Sequence, residues 1–354
     1  MKKNLLLLLV MSIPVFSAMA QSALTENIKV SAYLDSYYAY DFSEPITKDR
    51  PYVTQAVRHN EFNINWAFVK AEYESEQVRA SVGLQTGTYV QSNYAAEPND
   101  LTRMLYDTYA GYKLGEGVWL DVGVFGGLTG YESPLSIENE VYTRALATEF
   151  TPYYQTGARL TAELSEKVTL TGVLLNGWQI IQETNDAKSY GFNLNFAISE
   201  QWEVNYGNLL GNEGTAATGS KYRIYNHFYV KHSPSDKFHV MLSLDHGMQE
   251  TWDSDESANF FFATVIAGWQ VSEKVDLGFR YEYVSDDHEI LIGTANNLGF
   301  NNQIGSISVN FRPVSNIALR SELRVAGGED LLYEGEEGLY KGTSQFIVGM
   351  AVKL

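Results

Sequence analysis

The chain has 354 residues, no cysteine and a formal net charge of -18. The length allows one large domain or two ordinary ones. The missing cysteines exclude disulfide and thiolate chemistry, and the acidity argues against nucleic acid as a partner.

The first twenty residues read as an export signal. Lys2 and Lys3 precede an apolar stretch that starts at 5–10, and Ala18-Met19-Ala20 forms a small-x-small cleavage pattern before Gln21. No cysteine follows the cut, so a lipid anchor is not expected there. Losing Lys2 and Lys3 takes the mature net charge from -18 to about -20. Beyond residue 20 no apolar run approaches the roughly 20 residues of a membrane helix. That leaves a membrane β-barrel open, because a barrel hides its apolar face by alternation.

Alternation is what the chain shows. Ile28, Val30, Ala32, Leu34, Tyr38 and Tyr40 share one face, and Lys29, Ser31, Tyr33, Asp35, Tyr37 and Asp41 the other. Phe62, Ile64, Trp66 and Phe68 then oppose Glu61, Asn63 and Asn65. Val78, Ala80, Val82 and Leu84 oppose Arg79, Ser81, Gly83 and Gln85. The theme returns at 190–198, 238–244 and 275–283. Period two is the strand period. Many runs reach ten residues, beyond the about five to six of an ordinary strand and matching the about 9–11 of a tilted membrane-crossing strand.

Short and long connections alternate along the chain. Short gaps fall at 74–77, 114–117, 165–167, 199–201, 233–236, 272–274 and 312–315. Long gaps fall at 43–58, 91–102, 129–151, 180–188, 211–220, 249–257, 285–301 and 327–342. Tight turns at one end and long loops at the other are the outer-membrane arrangement, with turns in the periplasm. Seven turns and eight loops join about sixteen antiparallel strands, an even number as such barrels require. Trp119 and Trp202 follow short turns and Trp269 precedes one, which suits a periplasmic aromatic girdle. The fold expected is therefore an all-β transmembrane antiparallel barrel over 21–354, after a signal peptide at 1–20. The final segment, 343–354, is apolar at every second position through Leu354 and would close the barrel against the first strand. Such barrels commonly end on an aromatic residue that the barrel-assembly machinery reads, and here that place is taken by Leu.

Several stretches resemble the OmpL-like family of β-barrel porins, best populated in Bacteroidetes: RHNEFNINWA at 58–67, LQTGTYV at 84–90, GYESPLSIEN at 130–139, YTRALATEFTPYYQTGARLT at 142–161 and LNGWQ at 175–179. The resemblance covers most of the mature chain and is strongest over 58–179. It implies a porin-like outer-membrane barrel and lends no ligand and no catalytic residue.

The third long loop, 129–151, is the longest and carries Glu132, Glu138, Glu140, Arg144 and Glu149. In barrels of this size such a loop often folds inward, an analogy of architecture. Arg79, Arg159, Arg223, Arg280, Arg320 and Arg324 are candidates for the inner wall. An acidic loop facing a basic wall would set a field across a constriction, and charged rings are how pores choose ions. The alternative is a solvated loop, with the arginines paired to Asp276, Glu282 and Glu322. The acidic loops at 251–257, 285–289 and 328–338 suit solvated faces or divalent bridges to lipopolysaccharide, and none has the ligand spacing of a calcium loop. Ser285, Asp286 and His288 share one loop, a poor frame for a preorganised catalytic cluster. The other histidines show no metal-ligand spacing. Tyr33, Tyr37 and Tyr89 offer either sugar-stacking faces or wall packing.

The expected function is a passive outer-membrane porin for small hydrophilic solutes, with no enzymatic step and no cofactor. Its surroundings would be outer-membrane lipid and lipopolysaccharide. Barrels of this size commonly form a homotrimer, although no strand face stands out as a subunit interface. A plugged structural or adhesive barrel, and less so a surface hydrolase, are the alternatives.

Overall fold

The computed structural model describes residues 27–215 and 217–354; the signal peptide expected at 1–20 lies outside the described residues. Sixteen strands close into one antiparallel barrel. They are β1 (Ile28–Asp41), β2 (Glu61–Glu74), β3 (Val78–Thr86), β4 (Leu105–Gly115), β5 (Val118–Gly126), β6 (Tyr154–Ser165), β7 (Val168–Leu175) and β8 (Ser189–Ser199). They continue with β9 (Trp202–Asn212), β10 (Tyr222–Ser235), β11 (Phe238–Glu250), β12 (Ser257–Ser272), β13 (Val275–Asp286), β14 (Phe300–Val314) and β15 (Ile317–Gly327). A small hairpin, β16 (Tyr333–Gly335) and β17 (Gly338–Tyr340), sits in the eighth loop, and β18 (Gly342–Lys353) closes the ring.

Closure is a full ladder. β1 pairs with β18 from Tyr33↔Lys353 to Asp41↔Gln345. Ala32 and Leu354 exchange two main-chain hydrogen bonds of 3.0 and 2.8 Å. The apolar alternation up to Leu354 is thus a barrel seam, and it satisfies main-chain groups that lipid cannot.

The outward faces carry the apolar set: Val30, Leu34, Val82, Tyr190, Leu194, Ile198, Leu242, Phe279 and Tyr283 are all exposed. The β1–β2 register departs from simple alternation. A bulge opposite Asp35/Ser36 adds a residue to β2, so Asn65 and Trp66 in succession are both buried toward the lumen. Phe62 and Ile64 stay outside, while Trp66 and Phe68 change face. The girdle expectation also needs revising. Trp202 and Trp269 are exposed on the outer surface. Trp119 instead shares the inward parity of Asp121, with the Arg79 guanidinium 4.5 Å from its ring centre.

Loops fold back over the external half of the lumen. The second loop contains two short helices, α1 (Thr88–Asn93) and α2 (Asp100–Arg103), and the third a single turn, α3 (Leu146–Glu149). Leu146, Ile290, Ile292 and Leu332 from three loops pack on inward wall residues such as Phe260, Phe262, Val284 and Phe300. The cluster also takes in Phe125, Leu175, Leu209 and Tyr225, so it spans the wall from β5 round to β15 near the external mouth.

Candidate pore constriction

Residues 127–153, the third loop, run down inside the barrel and back. The wall holds the loop by its main chain and by its side chains. Arg320 donates to the carbonyls of Ser136 and Asn139, the latter at 2.7 Å. Arg312 reaches the Ile137 carbonyl at 2.9 Å, and Asn310 the Glu140 carbonyl at 2.9 Å. Arg280 donates to the Thr143 carbonyl and, at 2.9 Å, to its hydroxyl. Glu322 accepts from the Thr143 amide at 2.7 Å and Glu282 from the Leu146 amide at 2.5 Å. On β1, Asp35 accepts from Ser136 at 3.0 Å, Tyr142 at 2.9 Å and Asn65 at 2.9 Å. Two glycines make room: a Cβ on Gly278 would lie 2.1 Å from the Glu140 carbonyl oxygen, and one on Gly349 would lie 2.6 Å from the Tyr142 ring.

The wall arginines therefore separate by position. Arg280, Arg320 and Arg324 are buried beneath the loop. Arg280 also pairs with Glu282 at 2.8 Å and stands 3.6 Å from both Glu132 and Glu322, while Arg324 is 3.9 Å from Glu282. Arg312 pairs with Asp276 at 2.7 Å. Arg223 lies at the external end, bonded to Gln249 at 2.8 Å with its guanidinium 4.6 Å from the Trp178 ring. Arg79 and Arg159 belong to the other side of the barrel. Both clamp Asp121, at 2.6 and 2.9 Å, and both keep about a fifth of their side-chain surface open. Asp121 has none open, so two cations and one enclosed anion leave a positive patch on that wall.

The loop acids also separate. Glu138, in a 3-10 turn (Ser136–Glu138), bonds Lys353 at 2.5 Å and Ser133 at 2.6 Å. Burial pushes its pKa up, but those two hydrogen bonds outweigh it and hold the carboxyl below its ordinary value. Glu140 pairs with His239 at 2.8 Å; there too burial works upward and the histidine contact prevails, so the pKa is lowered. Glu132 is different. Burial dominates over nearby Arg280 and pushes its pKa up to about 7. Arg144 is buried, with its guanidinium 3.7 Å from the Tyr153 ring centre and 5.0 Å from that of Tyr89. Glu149 caps the first loop by accepting from the Thr54 amide at 3.2 Å.

By strand count, β3 and β11 are eight apart in a ring of sixteen. Arg79 and His239 are each the second residue of their strand, next to a short turn. Glu140, held by His239, thus lies across the barrel from Arg79 and near the turn end. Tyr33, Tyr37 and Tyr89 are buried, with the Tyr33 hydroxyl 3.0 Å from Ser136 and the Tyr37 hydroxyl 3.2 Å from Thr88. Packing under the loops, rather than an open stacking track, is their role. Asp286 accepts the amides of Ile290, Leu291 and Ile292 at 2.8–2.9 Å, a loop cap that binds neither Ser285 nor His288. Among the described residues no group of three or more His, Asp or Glu could hold a metal ion.

Among solved structures, the outer-membrane channel DcaP of Acinetobacter baumannii is similar with a TM-score of 0.62 at 11% identity, over 92% of this chain and 97% of that chain. The outer-membrane protein OmpT of Vibrio cholerae gives 0.61 at 10%, over 92% and 97%. The anion-selective porin from Comamonas acidovorans gives 0.59 at 9%, over 92% and 99%. At these identities the likeness is one of fold. No curated protein matches the sequence. The family model described as "Putative beta-barrel porin-2, OmpL-like" matches residues 27–354, so this chain belongs to that family of outer-membrane porins.

Proposed function

We propose that the barrel is a passive diffusion channel for small hydrophilic solutes, narrowed by the third loop and carrying out no catalytic step. One observation carries the reading: a loop moored inside the lumen presents Glu140 opposite the Arg79–Asp121–Arg159 patch, with Glu138 beside Lys353 near the turn end. A passing ion meets opposite charges on opposite sides, which is a selectivity field. In this reading Arg280, Arg320 and Arg324 shape the aperture by holding the loop, and Arg223, Arg144 and Glu132 support its external part. The chain is exported by its first twenty residues, inserted through recognition of its last strand, and surrounded by lipopolysaccharide. A homotrimer is proposed by analogy with the trimeric form of OmpT from Vibrio cholerae.

The apolar cluster at the external mouth favours a second reading, a barrel whose loops plug it. Single-channel recording separates the two. The refolded mature chain in a planar bilayer should give stable conductance steps, and a salt gradient should give a finite reversal potential. The double substitution Glu138→Gln, Glu140→Gln should move that potential toward anion preference. A folded, heat-modifiable barrel without steps would support the plug, and an unmoved potential would remove the loop acids from selectivity.

A further inference from the structure

A small polar cavity of about 160 Å³ lies between the start of the third loop and the β6–β8 wall. Its roof is residues 126–128, and its wall includes Gln155, Arg159, Thr161, Thr171 and Asn193. The register makes a row of them: Thr161 pairs with Thr171, and Thr171 with Asn193, while Arg159 is one inward step above on β6. The lining holds one cation and no carboxylate.

Two features show donors without acceptors. Gln155 is fully buried, and its carbonyl is fixed by the Leu128 amide at 2.9 Å. That fixes the opposite end as NH₂, and this Nε2 has no hydrogen-bond partner. Burying a donor without an acceptor is unfavourable, so an acceptor beside it would be favoured. Arg159 directs Nε and Nη2 to Asp121 at 3.1 and 2.9 Å, and its Nη1 takes no part in that pair. The Asn193 amide nitrogen is met by Asn205 at 2.9 Å. The unmet groups are thus an amide donor and a guanidinium edge, with two hydroxyls that can donate or accept.

We propose that this cavity is a binding subsite for a small oxyanion, a carboxylate or a phosphate, placed beside the solute path. The site deepens the channel reading and rests on it for its place in solute passage. An oxyanion supplies acceptors and negative charge together, and charge-assisted hydrogen bonds from Arg are the stronger kind. The volume accommodates such an ion with a water or two, since one water takes about 30 Å³. Binding in the millimolar range suits a pore, because a site on a conduction path must release what it holds.

The test uses the refolded mature barrel with potassium acetate or potassium phosphate added to a chloride electrolyte. Chloride conductance should fall saturably, and the same anion should raise the thermal midpoint of the heat-modifiable barrel in detergent. Comparing the two salts identifies which oxyanion the site prefers. Gln155→Glu keeps the acceptor for the Leu128 amide and replaces the donor with a carboxylate. It should raise the half-effect concentration at least about tenfold. If that variant does not refold, the near-isosteric Thr171→Val should still weaken the effect a few-fold. Conductance steps with neither block nor thermal shift from either salt overturn the subsite and leave the channel standing. A thermal shift lost in Gln155→Glu, from a barrel that shows no steps, supports the subsite and overturns the channel.

Discussion

Glu132 shows how one buried carboxyl tunes the loop. It accepts from the Ala145 amide at 2.7 Å, and burial raises its pKa to about 7 against an ordinary 4.5. Between those values the folded chain binds a proton that the unfolded chain has released. Its contribution is therefore fully present below about pH 4.5 and is lost as pH rises through 7. Glu138 and Glu140 have the opposite sign, because their lowered values cost stability only in acid. The thermal midpoint of the refolded barrel should thus decline from pH 5 to pH 8, and Glu132→Gln should flatten that decline. Equal slopes for the two proteins would show that Glu132 does not titrate in this window. Asp121 is the other telling residue. With two guanidiniums on it and none of its surface open, it keeps Arg79 and Arg159 side by side against their mutual repulsion.

At the scale of elements, the third loop is held by its main chain as well as by its side chains. Arg320→Ala would remove the donors to Ser136 and Asn139, leaving the Asn139 carbonyl unmet and the Ser136 carbonyl with only the Asn139 amide at 3.0 Å. The loss is about 2–3 kcal/mol of loop anchoring. It should appear as noisier, larger conductance steps from a barrel of unchanged strand content; steps of wild-type size and noise would argue that the remaining anchors suffice. The strands themselves were legible in the sequence, because lipid on one side and polar groups on the other enforce period two. Val30 and Leu34 outside with Tyr33 and Asp35 inside follow that rule. Trp66 escaped it because a bulge carries no residue signature of its own. The candidate site was only partly legible. Arg79, Arg159, Glu138 and Glu140 could be nominated from charge and position. The anchoring role of Arg280 and Arg320 could not, since their partners are carbonyls that every residue possesses. The Gln155 cavity was equally hidden, because its signal is a missing partner rather than a motif.

At the scale of the whole molecule, the ring stands or falls with its seam. Ending the chain before Gly342 would strip both β1 and β15 of a neighbour. Open edges in hydrocarbon cost several kcal/mol per unmet group. Such a truncation should yield no heat-modifiable band, and a compact band would show closure between β1 and β15 directly. The mooring of the third loop has another result at this scale. Arg312, Arg320, Asn310 and Arg280 grip carbonyls, and Glu322 and Glu282 grip amides. That part of the grip is blind to which side chains the loop displays, whereas Ser136, Tyr142 and Thr143 are also held by their hydroxyls. Side chains between those anchors, Glu138 and Glu140 among them, can then be exchanged for others while the path of the chain is kept. The barrel has in effect a fixed inner shelf on which selectivity is written, and mutation can rewrite the text without rebuilding the shelf.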